Sequence, residues 1–474
     1  MKSFRSRCLF SVCLFLALAV CGFAQVTLSA SRESSLPSAP APQLPTVMAR
    51  AGVAPTGAQV NAPQATPGAP LSLSLKEAQA LALKNNPQIS AARLTALASQ
   101  QVTREARSSL WPKAEVDLTA VDANPGTRIT AGGLNNPIVY QRAAAGAMVS
   151  QLLTDFGRTT NLISSANLAA KAENQNALAT KEQVLLAVDQ GFYNALQSRA
   201  ILTVAQQTVK ERQTVADQVG SLFRSKLKSE LDFSFANVNL AQAKLLLLDA
   251  ENNENASLAS LSAVLGFSSL QNFQLVEDSS PSVSPPGNVD ELIATAFTTR
   301  PEILALEFQS ESAGKFQKAE RDLLLPDIRA LGAVGDTPVR NPVVSSWYGA
   351  VGVNVGIPLF NGFLYTARAR EASLRARATQ ERLRDLRDRI SRDVRTSWLN
   401  ANTAYERLAV TQQLLEQANL ALSLARARYN LGLGSIVELS QAQLQQTQAE
   451  ISNAEAGYDY RLSLAVLQYQ TSGI

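Results

Sequence analysis

The chain has 474 residues, a formal charge of +4 and no histidine, and its three cysteines, Cys8, Cys13 and Cys21, all lie near the N-terminus. The lack of histidine excludes imidazole acid–base chemistry and histidine-ligated metals. Sequence motifs for phosphate cradling (G-x-x-x-x-G-K) or a nucleophile turn (G-x-S-x-G) are also missing, so neither an enzyme nor a cofactor site is expected.

Residues 1–24 read as a secretory signal peptide. Lys2, Arg5 and Arg7 precede the apolar stretch Cys8–Val20, and Gly22-Phe23-Ala24 supplies small residues for cleavage after Ala24. A membrane anchor fits less well, because the apolar run is short for a bilayer span. Lipoprotein processing before Cys21 is a third reading, with Val20 standing where such sites take a small residue. Cleavage after Ala24 removes every cysteine and three cations, which lowers the formal charge from +4 to about +1. No later apolar run reaches the length of a transmembrane helix. Residues 25–70, rich in Ala, Pro and Ser with almost no charge, read as a flexible arm.

The ordered sequence reads as one unit written twice, 71–275 and 289–474, with a Pro/Ser-rich linker at 276–288. KNNPQISAAR (84–93) aligns with TTRPEILALE (298–307), and Pro112 aligns with Pro326 at the same offset of 214. Further on the offset is 206, with LFRSKLKSELD (222–232) against RYNLGLGSIVE (428–438) and Asp155 facing Asn361. A longer loop at 122–143 than at 335–348 accounts for the change. The tripeptide Asp155-Phe156-Gly157 matches a kinase signature by chance, since nothing else of a kinase surrounds it.

Each unit predicts helix, strand, strand, very long helix, turn, helix. Glu115–Ala120 alternates polar and apolar, and Gly349–Ile357 does so more cleanly, with Val351, Val353, Val355 and Ile357 on one face. Ala330–Val334 and Ala144–Leu153 are weaker strands, the second with an ambiguous face. Such segments have the length of a tilted strand crossing a bilayer. Four strands cannot close a barrel alone, so several chains must share one. In the long helices Val188, Ala195, Leu202, Val209, Ala216 and Phe223 recur at every seventh position, as do Val394, Ala401, Leu408, Leu415, Leu422 and Tyr429. That period predicts coiled coils, each long helix running roughly 100 Å. The arginine-rich stretch Arg368–Arg395 mixes in Glu371, Glu381, Asp385, Asp388 and Asp393 at helical spacings, and reads as a solvated helix face with no nucleic-acid role.

The opening LSLKEAQALALKNNPQI, the paired proline strand starts, the TDFGR and PLFNG strand ends and the turn RYNLGLGS (428–435) together resemble the TolC-like outer membrane efflux family over about 71–474. The resemblance implies a mainly α fold with membrane β: a homotrimer forming a 12-stranded β-barrel in the outer membrane lipid and a long α-helical coiled-coil tunnel into the periplasm of a Gram-negative bacterium. It implies an exit duct of a tripartite efflux pump or type I secretion system, docked to a periplasmic adaptor protein and an inner-membrane RND, MFS or ABC transporter. The alternative class is an exported coiled-coil structural protein without a pore.

Within RYNLGLGSIVEL (428–439), Gly432 and Gly434 are expected to stop one helix, while Ser435 and Glu438 form a capping box for the next. Ser229 and Asp232 occupy the matching places in the first unit. The resemblance makes this turn the tunnel entrance, with Leu227, Leu431, Gly432, Leu433 and Gly434 as adaptor-contact tip. It also implies a periplasmic gate of Glu438, Gln441, Asp232 and Tyr429, with a Tyr429–Asp232 link holding the hairpins shut and Gly434 standing where a linking arginine is expected. Carboxylates of Glu438 from each protomer would then draw cations to the pore. The competing reading is that Glu438 and Asp232 only cap helices.

Overall fold

The computed structural model describes residues 71–122, 124, 141–269, 271, 273–277, 285–339 and 345–471. The expected signal peptide, the arm, most of the loop at 122–143 and the middle of the linker lie outside the described residues.

The elements are β1 (Leu71–Leu73), α1 (Leu75–Asn85), α2 (Pro87–Ser108), β2 (Lys113–Val121), β3 (Arg142–Thr154), α3 (Arg158–Arg224) and α4 (Glu230–Val264). They continue with β4 (Phe273–Leu275), α5 (Val289–Thr299), α6 (Pro301–Arg321), β5 (Asp327–Val339), β6 (Trp347–Gly356), α7 (Leu364–Asn430) and α8 (Ile436–Thr471). Two helices precede each strand pair where one was expected. Pro87 and Pro301 cause the split: each sits at the first position of its helix, where its missing N–H is harmless but from which the preceding helix cannot continue.

Helices α3 and α7 each contain 67 residues, which at 1.5 Å per residue is about 100 Å. The seven-residue repeat faces their packing seams: Val188, Ala195 and Ala216 are buried in α3, and Val394, Ala401, Leu422 and Tyr429 in α7. Each long helix folds back through a five-residue turn, α3 onto α4 and α7 onto α8. Between the two hairpins, α3 packs on α8. In the other halves of the long helices, contacts run in the order α2, α3, α6, α7. Around mid-height of α3, Val188 and Phe192 meet Leu73, Ala78, Leu261 and Leu275 in one apolar cluster, which the short parallel pair β1–β4 completes.

Strands β2, β3, β5 and β6 form one antiparallel sheet in that order, so β2 and β6 are its edges. The sheet enters each long helix through left-handed residues, Phe156 and Gly157 before α3 and Gly362 and Phe363 before α7. Asp155 stabilises the first of these corners by accepting from the backbone N–H of Thr159, and Asn361 accepts from that of Tyr365 at the second. That is the work of Asp155-Phe156-Gly157: a strand-to-helix corner.

Candidate functional site

Strand register sorts the sheet into two chemically different faces, because directly opposed residues in antiparallel strands point the same way. One face collects the rows Val116–Ala147–Val334–Gly349 and Ala114–Val149–Gly332–Val351, with Ala330–Val353 and Ile328–Val355 beyond them. The other collects Lys113–Ser150–Leu331, Glu115–Met148, Asp117–Gly146–Gly335–Tyr348, Arg329–Asn354 and Asp327–Gly356, and so carries nearly all the charge of the sheet together with a few apolar groups. The strand whose face was ambiguous in sequence is settled by its neighbours: Ala145, Ala147 and Val149 lie on the apolar side. Gly146 and Gly335 have a structural reason, since the Tyr348 phenol lies over both and leaves no room for a side chain at either. Val351, at 93 % exposure, and Leu118, at 80 %, are apolar groups that nothing in one chain covers. An alternating sheet with one bare apolar face, one charged face and two unpaired edges suits a barrel wall between lipid and lumen.

The opposite ends of α3 and α7 carry the turns. Both stop in the same way: Leu433 N–H donates to Arg428 O (2.8 Å) and Gly432 N–H to Tyr429 O (3.1 Å), while Leu227 donates to Leu222 O and Lys226 to Phe223 O. These are Schellman stops with the left-handed residue at Gly432 (φ 73°) and at Lys226 (φ 59°). Of the two glycines expected to break the helix, only Gly432 needs positive φ; Gly434 instead fits beside Arg428, where a Cβ would be crowded by Arg428 and Glu438. Leu227, Leu431 and Leu433 are each at least 70 % exposed, an apolar tip on a polar stalk.

The gate residues are only partly brought together. Glu438 and Gln441 are exposed one turn apart on α8. Ser435 Oγ accepts from Glu438 N–H at 3.1 Å, but the reciprocal half of the expected capping box is not made, because the Glu438 carboxylate turns to Arg428 Nε, also at 3.1 Å. Asp232 does complete its box with Ser229. The Tyr429–Asp232 hydrogen bond is not formed: the Tyr429 hydroxyl is buried without a partner. Burial, then the nearby charge of Asp232, pushes the Tyr429 phenol above its ordinary pKa. What holds Tyr429 is Lys228, whose Nζ stands 3.9 Å from its ring centroid. Sequence reasoning missed Arg428 and Lys228, although both flank the turns; the place expected for a linking arginine was six residues further on.

A model of the family described as "Outer membrane efflux protein" matches residues 79–267 and 292–470. The chain belongs to the outer membrane efflux protein family. It is 24% identical over 407 residues to outer membrane protein TolC of Vibrio cholerae, covering 83% of this chain and 90% of that one. It is 21% identical over 323 residues to outer membrane efflux protein BepC of Brucella suis, covering 66% and 68%. Its fold is similar to a crystal structure of CusC with TM-score 0.75 at 18% identity, covering 87% of this chain and 96% of that one.

As a member of this family it is an outer-membrane efflux channel that extends into the periplasm, which sets aside the poreless structural alternative. Along the stalk of this efflux protein, acids and arginines tie helices to one another. Arg368 pairs with the buried Glu320 of α6 at 2.7 Å, Arg387 with Glu307 at 2.7 Å and Arg395 with Asp290 of α5 at 3.7 Å. Within α7, Glu371 pairs with Arg375 and Asp385 with Arg389, as their spacing predicts. Mid-height on α3, Glu182 is buried near the Arg300–Glu302 pair, and Tyr469 also donates to Glu302. Burial, then the Glu302 charge, pushes Glu182 up to about 7.

Proposed function

We propose that the chain acts as a homotrimeric exit duct with a shared twelve-stranded barrel, a periplasmic tunnel and a tip gate, and that the two similar halves arose by tandem duplication. The observation that carries the barrel is the register: it gathers Val116, Leu118, Val149, Val334, Val351, Val353 and Val355 on one face and, among the described residues, leaves β2 and β6 as the edges. Open edges are not tolerated in lipid, so β6 of one copy must meet β2 of the next. Four strands from each of three copies give a barrel of about twelve, within the range of membrane barrels. The helical layer supports the same closure, since α2 and α7 end the series α2, α3, α6, α7 and belong to the same edges as β2 and β6. A head-to-tail contact of this kind closes into a ring.

The exposed leucines of the two turns fit the docking of a periplasmic adaptor, which in turn couples the duct to an inner-membrane transporter. Glu438 and Gln441 sit where a ring at the tunnel entrance would form. The test is reconstitution of the purified protein into planar bilayers: discrete, small, ion-conducting steps are expected, and an electrically silent protein that still inserts would contradict the duct.

A further inference from the structure

The seam between the two hairpins is apolar next to the tip, where Ala216 and Val219 of α3 meet Leu439 and Ala442 of α8. One turn further from the tip it changes character. Arg212 of α3 is 5% exposed and donates through Nη2 to the Gln443 carbonyl of α8 at 2.8 Å and to Thr447 Oγ1 at 3.0 Å. Among the described residues its Nη1 is buried without a partner, and so are both side-chain polar atoms of Gln443, itself 1% exposed. A buried guanidinium held only by neutral acceptors, beside an unsatisfied amide, is an expensive arrangement that apolar residues of similar volume would improve.

The acceptors lie on one stripe of α8. Gln443, Thr447 and Glu450 stand at i, i+4 and i+7, so each is about one turn beyond the last. Glu450 is half-buried and at present accepts only from Gln446 of its own helix. Burial, then the Glu211 charge, pushes its pKa up, while Arg212 pulls it down. Helix α8 runs away from the tip. A slide of α8 toward the tip by one turn, about 5.4 Å, would therefore bring Glu450 opposite Arg212. A slide of one turn the other way offers apolar Leu439 instead.

We propose that Arg212 is a positioning residue that pins the α7–α8 hairpin against the α3–α4 hairpin in two registers, with Gln443 and Thr447 as acceptors at rest and the Glu450 carboxylate in the open channel. This rests on reading the α7–α8 tip as the gate. The second register gains a charge-assisted bond that the first lacks, set against the apolar packing along the seam and the ties of Thr471 and Gln470 to Thr299 and Arg300, which sliding must break.

Single-channel recording of the reconstituted protein tests the pin. Glu450→Gln should leave resting conductance unchanged and thermal stability equal or higher, but make large openings about tenfold rarer, a typical size for one coupling contact between states. Arg212→Met should also make openings rare, with stability equal or higher. Arg212→Lys, which keeps the charge, should recover most of the opening frequency. Stable Glu450→Gln and Arg212→Met channels that open as often as the unmodified protein would overturn the pin. Glu438→Gln in the same recordings separates the two ideas: unchanged ion selectivity there removes the tip gate, whereas a selectivity shift with unchanged opening in Glu450→Gln removes only the pin.

Discussion

Arg428 Nε lies 3.1 Å from Glu438 Oε1, so the acid proposed to line the entrance is held across its own turn by a cation. Both side chains are about half exposed, and such pairs contribute only about 0.2–1 kcal/mol to stability. Glu438→Gln uncovers Arg428 and should shift reversal potentials in a salt gradient toward anions. Arg428→Gln uncovers the carboxylate and should shift them toward cations. Melting temperatures should barely move in either variant; loss of stability in Glu438→Gln without a selectivity change would make Glu438 a helix cap only.

Lys228 over the Tyr429 ring joins the α3–α4 turn to the α7–α8 hairpin. A cation–π contact of this kind contributes roughly 0.5–2 kcal/mol. Lys228→Ala should raise resting conductance by loosening the hairpins. Tyr429→Phe should be close to silent, because the hydroxyl it removes is buried and unpartnered. A large conductance gain in Tyr429→Phe would show that the hydroxyl does form a link in the assembled channel.

On the sheet, Val353 and Asn354 occupy opposite faces of one strand. Val353→Arg places a charge on the lipid side and should cost about 2–4 kcal/mol if it lies near mid-membrane. Asn354→Arg joins Arg329 on the charged face and should cost far less. Equal losses in denaturant titrations of bilayer-folded protein would mean that the faces are wrongly assigned.

Glu182 gives a pH dependence. Its folded pKa of about 7 lies above the ordinary 4.5, with burial as the main cause. Between those values the folded chain keeps a proton that the unfolded chain releases, so this group makes stability fall as pH rises across that window. Glu182→Gln should flatten thermal unfolding between about pH 5 and pH 8 and raise the melting temperature at pH 8. A slope unchanged in Glu182→Gln would assign the effect to another group such as Asp189, which burial raises to about 6.

The periodic parts of this molecule were legible in the sequence because burial enforces period. Val188, Ala195 and Ala216 had to face a seam, and Val351, Val353 and Val355 one side of a strand. The face of Ala144–Leu153 was not legible, since alanine and glycine carry little polarity signal and only pairing with β2 and β5 decides it. At the tip, residue types located the turn but not its contacts. Glu438 can reach its own cap or Arg428, and Tyr429 can meet Asp232 or Lys228; short side-chain torsions choose between them. Arg212 was hidden for a different reason: one of four arginines in a long helix, it carries no sign in sequence that its part of the seam is buried.

The proposed membrane wall is complete only with further copies of this chain. Light scattering on the purified protein measures that directly. A particle that requires detergent and contains three chains is expected, because β2 and β6 are edges in a single chain. A monodisperse monomer in water, with no detergent present, would contradict it.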